Sequence, residues 1–205
     1  MGCNLLENYG TQNVLTLAKK RKSVRHFSKS SFPIDKVIYT LEVAVQAPSG
    51  ANRQPWKFII VDDQITKENI RRMCEEQEKL FHEKVDGNLK SWFKTKNISY
   101  NKPFLTEAPL LLAVFSDQRQ PYATESTWLA IGYILLSLEE VSLSTLTYTP
   151  SYPERVKAIF GVPEYYKLEA IMPIGYSEDS KPKEPRKPLK DSVYRNFWGH
   201  PLENL

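Results

Sequence analysis

The chain is poor in the groups from which metal centres and disulfide frameworks are built. Its two cysteines, Cys3 and Cys74, lie far apart with no Cys-x-x-Cys spacing. Its three histidines, His26, His82 and His200, lack the i, i+4 pairing that puts two ligands on one helix face. These absences predict a reduced protein with no metal site. No Gly-x-Gly-x-x-Gly follows an apolar strand, which argues against a Rossmann nucleotide fold. No apolar run approaches the roughly 20 residues needed to cross a bilayer. The amino-terminal stretch has no charged start leading into an apolar core and a small-residue cleavage site, so the expected location is cytoplasmic. The net charge is only +4, with no basic stripe or recognisable module, and nucleic acid is not an expected partner.

What remains has the make-up of a globular protein. With 205 residues there is material for one well-filled core, and residues 1–205 are read as a single domain. Residues from about Leu5 to Lys19 give two short helical stretches interrupted near Gly10. Ser31 and Pro33 open a helix with Ile34, Val37, Ile38, Leu41, Ala44 and Val45 at helical spacing. Lys57–Val61 and Leu110–Phe115 are short apolar runs suited to buried strands, and Glu169–Gly175 supplies another. Between the first two, a charged helix from Thr66 to about Lys84 begins an excursion over about 66–108 that is dense in aromatics: Phe81, Trp92, Phe93, Tyr100 and Phe104. From Trp128 to Leu138 a helix is apolar on nearly every face, which places it in the core or at a subunit contact. Ser144–Thr149 alternates so as to put Thr145, Thr147 and Thr149 on one face of a strand. Pro150 and Pro153 start a short helix that Gly161 stops, and after Tyr176 the composition turns to that of an extended tail, about 177–205. Helices and strands mix without regular alternation, so the expected fold is an α+β three-layer sandwich.

Two stretches carry recognisable chemistry. In Arg21-Lys22-Ser23-Val24-Arg25 three cations and a hydroxyl surround one apolar residue, a composition suited to a phosphate. In Ala47-Pro48-Ser49-Gly50-Ala51-Asn52-Arg53-Gln54-Pro55-Trp56 two prolines and a glycine stop the helix, while Ser49, Asn52 and Gln54 offer groups to a polar planar ligand. Together, and at this spacing, they resemble the opening motifs of the nitroreductase family of FMN-dependent flavoproteins.

The resemblance implies a central mixed, mostly antiparallel sheet flanked by helices, and a homodimer with the FMN sites at its interface. It assigns the FMN phosphate and neighbouring hydroxyls to Arg21, Lys22, Ser23, Arg25 and, from the tail, Arg186. Lys22 stands where an arginine is common, keeping the charge and losing the fork. Pro48, Ser49, Gly50, Ala51 and Asn52 are expected along the ring and ribityl chain, from the partner subunit, with Thr147 and Thr149 near the ring's N5 and O4 edge. The implied reaction is ping-pong: NAD(P)H reduces the flavin, which then reduces a nitroaromatic, a quinone or a similar electron-poor acceptor.

Thr147-Tyr148-Thr149-Pro150, Pro173-Ile174-Gly175-Tyr176 and Arg186-Lys187-Pro188-Leu189 extend the resemblance to the iodotyrosine deiodinase branch. There a glutamate, a tyrosine and a lysine grip the zwitterion of a halogenated tyrosine, and a threonine hydroxyl sits at flavin N5. Thr147 matches that threonine and Lys102 the lysine. An ungapped count puts Phe81 in place of the tyrosine and Gln77 in place of the glutamate, with Glu76 or Glu78 serving if the register slips; Tyr100 is a further substrate-side candidate. Reductive dehalogenation is therefore the alternative to nitroreduction, followed by a flavin-destructase outcome and by a non-catalytic flavin binder.

Overall fold

The computed structural model describes residues 13–95 and 98–202; Cys3 and the helical stretch expected around Leu5 lie outside them. In chain order they form α1 (Val14–Lys20), α2 (Asp35–Ala44), β1 (Trp56–Val61), α3 (Gln64–Lys84), α4 (Gly87–Thr95), α5 (Phe104–Glu107), β2 (Leu110–Asp117), α6 (Ala123–Glu140), β3 (Ser144–Thr145), α7 (Pro153–Ile159) and β4 (Tyr166–Gly175). The strands make one sheet in the order β1-β2-β4-β3, with every pairing antiparallel. Its parallel component is a single bridge, Ser23 to Thr145.

The run Leu110–Phe115 dictates the layering. A strand's period of two sends Leu110, Leu112 and Val114 to one face and Leu111, Ala113 and Phe115 to the other, and all six are buried. A strand apolar on both faces needs cover on both. On one side α2 and α6 supply Val37, Ala44, Ile131, Ile134 and Leu138. On the other, α3, α5 and α7 supply Ile70, Cys74, Leu105 and Val156. The three-layer α+β sandwich read from the sequence is the fold the chain adopts.

Three elements are placed more closely by the structure than by the sequence. Helix α3 begins at Gln64 because the Asp63 carboxylate caps it, accepting from the Thr66 amide at 2.7 Å. Most of its length is core, with Lys67, Ile70, Cys74, Gln77 and Glu78 buried, so the excursion proper is the end of α3 with α4, and α4 buries no residue. Helix α6 is not buried all round: Ala130, Ile131, Ile134 and Leu138 face the sheet, while Leu129 and Tyr133 are exposed. Strand β3 stops at Thr145, and ladder contact resumes only at Tyr148, which exchanges backbone hydrogen bonds with Ile171.

Glu169 pins α6 to the sheet. Its carboxylate is buried in β4 and accepts from Ser116 Oγ at 2.6 Å, Thr124 Oγ1 at 2.8 Å, Trp128 Nε1 at 3.0 Å and Lys167 Nζ at 3.1 Å. Burial pushes this carboxyl's pKa up, but the hydrogen bonds together outweigh it and hold it below the ordinary value. Glu169→Leu should destabilise the fold by about 3 kcal/mol, because it strands buried donors. Since the folded pKa is depressed, the contribution is present above the ordinary carboxylate pKa and is lost as pH falls through the folded value. Denaturant unfolding across the acid range should accordingly show a flatter pH dependence in the variant than in the parent.

Candidate functional site

Residues 21 to 25 run as extended chain after α1, held by the Ser23 to Thr145 bridge and a hydrogen bond from the Val24 amide to the Thr145 carbonyl. Alternation sorts them: Val24 is buried, whereas Ser23 and Arg25 are exposed, with Arg21 on their face. Lys22 falls on the other face, and its ammonium donates to the carbonyls of Asp179 and Lys181 at 2.6 and 2.5 Å. Lys22 thus braces the tail against the basic motif. Asp179 completes the knot by accepting from the backbone amides of Arg25 and Lys181.

The tail brings further cations to this face. Lys183 donates to the carbonyls of Ala18 and Lys19 at the end of α1. Burial lowers the pKa of Arg21, Arg186 lowers it further, and only Glu139 opposes them. Lys183 is lowered by burial and then by the same two arginines. Glu139 is itself paired with Lys20 at 3.1 Å. Arg21, Lys183 and Arg186 therefore converge on one face, and a phosphate is the kind of group that binds such an arrangement.

The loop at 47–56 is a 3-10 turn, Gly50–Asn52, with Ala51, Asn52 and Gln54 at φ of 49°, 54° and 48°. Three non-glycine residues in left-handed conformations within four positions is a strained backbone. The Ser49 hydroxyl holds it by accepting from the Gln54 amide, and the Gly50 amide donates to Ser126 Oγ. Gly50 is required where it stands, since a Cβ would lie 2.7 Å from Tyr122 Cδ2. Ala51 and Asn52 face outward, as does Pro48. These contacts fix the loop to the start of α6, and no hydrogen bond among the described residues joins it to the 21–25 segment.

A second polar cluster lies under α3. Glu78 and Lys102 have side chains only 10% and 9% exposed, with Lys102 Nζ 3.4 Å from Glu78 Oε2. Glu78 Oε1 accepts from Ser151 Oγ at 2.7 Å and from the Tyr148 hydroxyl at 3.2 Å. Lys102 also donates to the Ser99 carbonyl at 2.7 Å, and its backbone amide donates to Glu75. One turn along α3, His82 stacks on Phe93 with centroids 4.6 Å apart and carries Nε2 to 3.9 Å from Glu78 Oε2. Neighbouring Cys74 is no nucleophile, as burial pushes its thiol up to about 12.

The segment after β3 ties the two clusters together. Thr145 touches the basic motif, and Tyr148 and Ser151 reach Glu78. The four residues from Thr145 to Tyr148 span at most about 14 Å when extended, so both clusters border one short stretch of chain. Leu146 and Tyr148 face the core, while Thr147 is half-buried and Thr149 exposed, its hydroxyl donating to the Glu169 carbonyl at 3.3 Å.

No ion pair or hydrogen bond among the described residues joins Lys102 to either residue of the ungapped count, Phe81 or Gln77. Phe81 is 37% exposed and meets the His82 ring edge-on, and Gln77 is buried with its amide unpartnered. The residues at Lys102 are Glu78 and His82. Tyr100 is half-exposed, edge-on to His82, and Phe104 belongs to the core.

Residues 18–176 match the family model described as the nitroreductase family. The chain belongs to the nitroreductase family, on its iodotyrosine deiodinase-like branch. The iodotyrosine deiodinase of Thermotoga neapolitana is 52% identical over 170 residues, covering 83% of this chain and 91% of the relative. Iodotyrosine deiodinase 1 of Homo sapiens is 32% identical over 195 residues, covering 87% and 67%. A crystal structure of oxidised iodotyrosine deiodinase bound to FMN and 3-iodo-L-tyrosine superposes with a TM-score of 0.86 at 48% identity, covering 90% of this chain and 99% of that one. A BluB-like flavoprotein from Clostridium difficile, at 21% identity and a TM-score of 0.77, shares the fold.

Within this nitroreductase-family protein, the face that joins Arg21, Ser23, Arg25 and Arg186 has the donors an FMN phosphate needs. The tail's anchorage beside the motif, Lys22 to the Asp179 and Lys181 carbonyls and Lys183 to those of Ala18 and Lys19, is the observation that fits the group. His82 is not named among the sequence candidates because the resemblance implies a tyrosine in that role. The signal that finds it is the buried stripe Ile70, Cys74, Glu78, which extended by four residues gives His82.

Proposed function

We propose that the protein is an FMN-dependent reductive dehalogenase acting on a halogenated tyrosine, as a homodimer in the cytoplasm. The observation that carries this reading is the Glu78–Lys102 pair, two opposite charges almost withdrawn from water at the end of the 145–151 segment. A buried ion pair is expensive to build and adds little stability by itself. An amino-acid zwitterion explains it: Glu78 takes the ammonium and Lys102 the carboxylate, so each buried charge keeps an opposite partner when the ligand enters. A flat, uncharged nitroaromatic or quinone makes no use of the pair, which is why dehalogenation is preferred here to NAD(P)H-driven nitroreduction.

FMN, when bound, supplies two electrons, which with a proton replace the carbon–halogen bond by carbon–hydrogen and release halide. Arg21, Ser23, Arg25 and Arg186 hold its phosphate. Thr147 offers its hydroxyl to the ring. Pro48, Ser49, Gly50, Ala51 and Asn52 come from the partner subunit, a reading supported by the loop's exposure and by the exposed Leu129 and Tyr133 on α6. NAD(P)H is the proposed reductant.

The test is direct. Holoenzyme reduced anaerobically and mixed with 3-iodo-L-tyrosine should release about one iodide per flavin, with tyrosine as the product. Reduced holoenzyme that consumes a nitroaromatic while releasing no iodide would overturn the proposal in favour of nitroreduction. Bleaching of the flavin band by NADH or NADPH tests the reductant separately.

A further inference from the structure

We infer that His82 is the third contact for the amino-acid end of the substrate, its Nε2 donating to the carboxylate beside Lys102 and making ligand affinity rise as pH falls. The inference rests on the zwitterion reading of Glu78 and Lys102. Three observations on His82 lead to it. Its Nε2 is buried and has no hydrogen-bond partner, though it points to within 3.9 Å of Glu78 Oε2. An unpartnered buried nitrogen is a standing penalty that a ligand group removes. Its ring is held in place: Phe93 of α4 lies parallel to it at 4.6 Å and 22°, while Phe81 and Tyr100 meet it edge-on at 6.3 and 6.5 Å. The imidazole is therefore aimed by packing before any ligand arrives. Finally, it shares one face of α3 with Glu78, so both address the same volume.

The charged and titratable groups facing His82 decide the pH dependence. From α3 there is Glu78; from the segment before α5, Lys102 and Tyr100; from the segment after β3, the Tyr148 hydroxyl that shares Glu78. In the free protein, burial and then Lys102 lower the His82 pKa, with Glu78 opposing, so the ring is neutral at neutral pH. In the complex the ligand's ammonium takes up Glu78, and its carboxylate stands between Lys102 and His82. A carboxylate within hydrogen-bond distance favours imidazolium, so the complex binds protons more readily than the free protein. Linkage then requires affinity to increase as pH falls through the complex's His82 pKa, and to level off below that of the free protein. A phenol, which does not titrate in this range, could not produce that window.

The experiment measures 3-iodo-L-tyrosine binding to the oxidised holoenzyme by quenching of flavin fluorescence between pH 5.5 and 8.5, with calorimetry at neutral pH in two buffers of different ionisation enthalpy. The parent is compared with His82→Gln and His82→Tyr. Taking each parent-to-variant ratio cancels the titration of the ligand's own phenol. The parent's advantage should grow by about fivefold from the alkaline to the acid end, and calorimetry should show net proton uptake in the parent alone. Equal pH dependence in parent and variants, with tight binding in all three, would overturn the role of His82 and leave the zwitterion site standing. Absence of binding by the parent at every pH would overturn the zwitterion site, and this inference with it. Flavin retention and denaturant midpoint check that the variants are folded; the His82→Tyr ring can still stack on Phe93, so it separates loss of the titrating nitrogen from loss of packing.

Discussion

Arg21→Glu will purify without flavin, and Arg21→Met will bind FMN about 10- to 100-fold more weakly than the parent. The magnitude follows from losing one charge-assisted fork to a phosphate, about 1.5–3 kcal/mol, and the glutamate adds repulsion against a dianion. The informative part is the opposite sign expected for the apoprotein. Burial and Arg186 hold the Arg21 guanidinium below its ordinary pKa, with Glu139 only partly offsetting them. A cation whose folded pKa is depressed is less favourable in the folded than in the unfolded state throughout the neutral range. Arg21→Met removes that disadvantage, so the apo variant should unfold at an equal or higher denaturant concentration than the apo parent, while FMN stabilises it far less. Fluorescence titration with FMN and unfolding curves with and without it test both statements. A variant that loses apo stability but keeps its FMN affinity would mean that Arg21 packs the tail and does not hold a phosphate.

That opposition between folding and binding also shows where a sequence is legible. The layers were readable because Leu110–Phe115 is apolar at both parities, which only a covered strand tolerates. The basic motif was readable because Arg21, Ser23 and Arg25 share one parity of an extended chain; the same rule, applied to Lys22, would have turned it toward the tail. The threonines of 145–149 were read as one face of a strand, but the strand covers only Ser144–Thr145 and pairing lapses between Thr145 and Tyr148. Helix α6 left two positions open, core or subunit contact, because mean apolarity does not distinguish a helix buried all round from one with an apolar face left open. The cluster at Lys102 was the hardest to read. It depends on which of two i, i+4 pairs, Gln77 with Phe81 or Glu78 with His82, turns inward, and the length of the segment joining α3 to Lys102 is set by tertiary packing.

Separating stability from binding at that cluster needs both partners. Glu78→Gln and Lys102→Met should each reduce iodide release from 3-iodo-L-tyrosine by at least about 100-fold, because each removes the permanent opposite charge offered to one end of the zwitterion. Each should also destabilise the fold by about 2–4 kcal/mol, since the remaining partner is left charged in a nearly dry site. Lys102 keeps the Ser99 carbonyl when Glu78 is neutralised, and Glu78 keeps Ser151 and Tyr148 when Lys102 is removed, so neither variant should fail to fold. The double variant distinguishes the two roles. With both charges gone there is no uncompensated ion, and its stability should return most of the way to the parent's, giving a coupling energy opposite in sign to the single losses and approaching their sum in size. Its affinity for the amino acid should not return at all. Restored stability with absent binding is the behaviour of a pair kept for a ligand; stability losses that simply add, with binding intact in the double variant, would make Glu78–Lys102 a structural bridge and send the search for the substrate's charged end elsewhere.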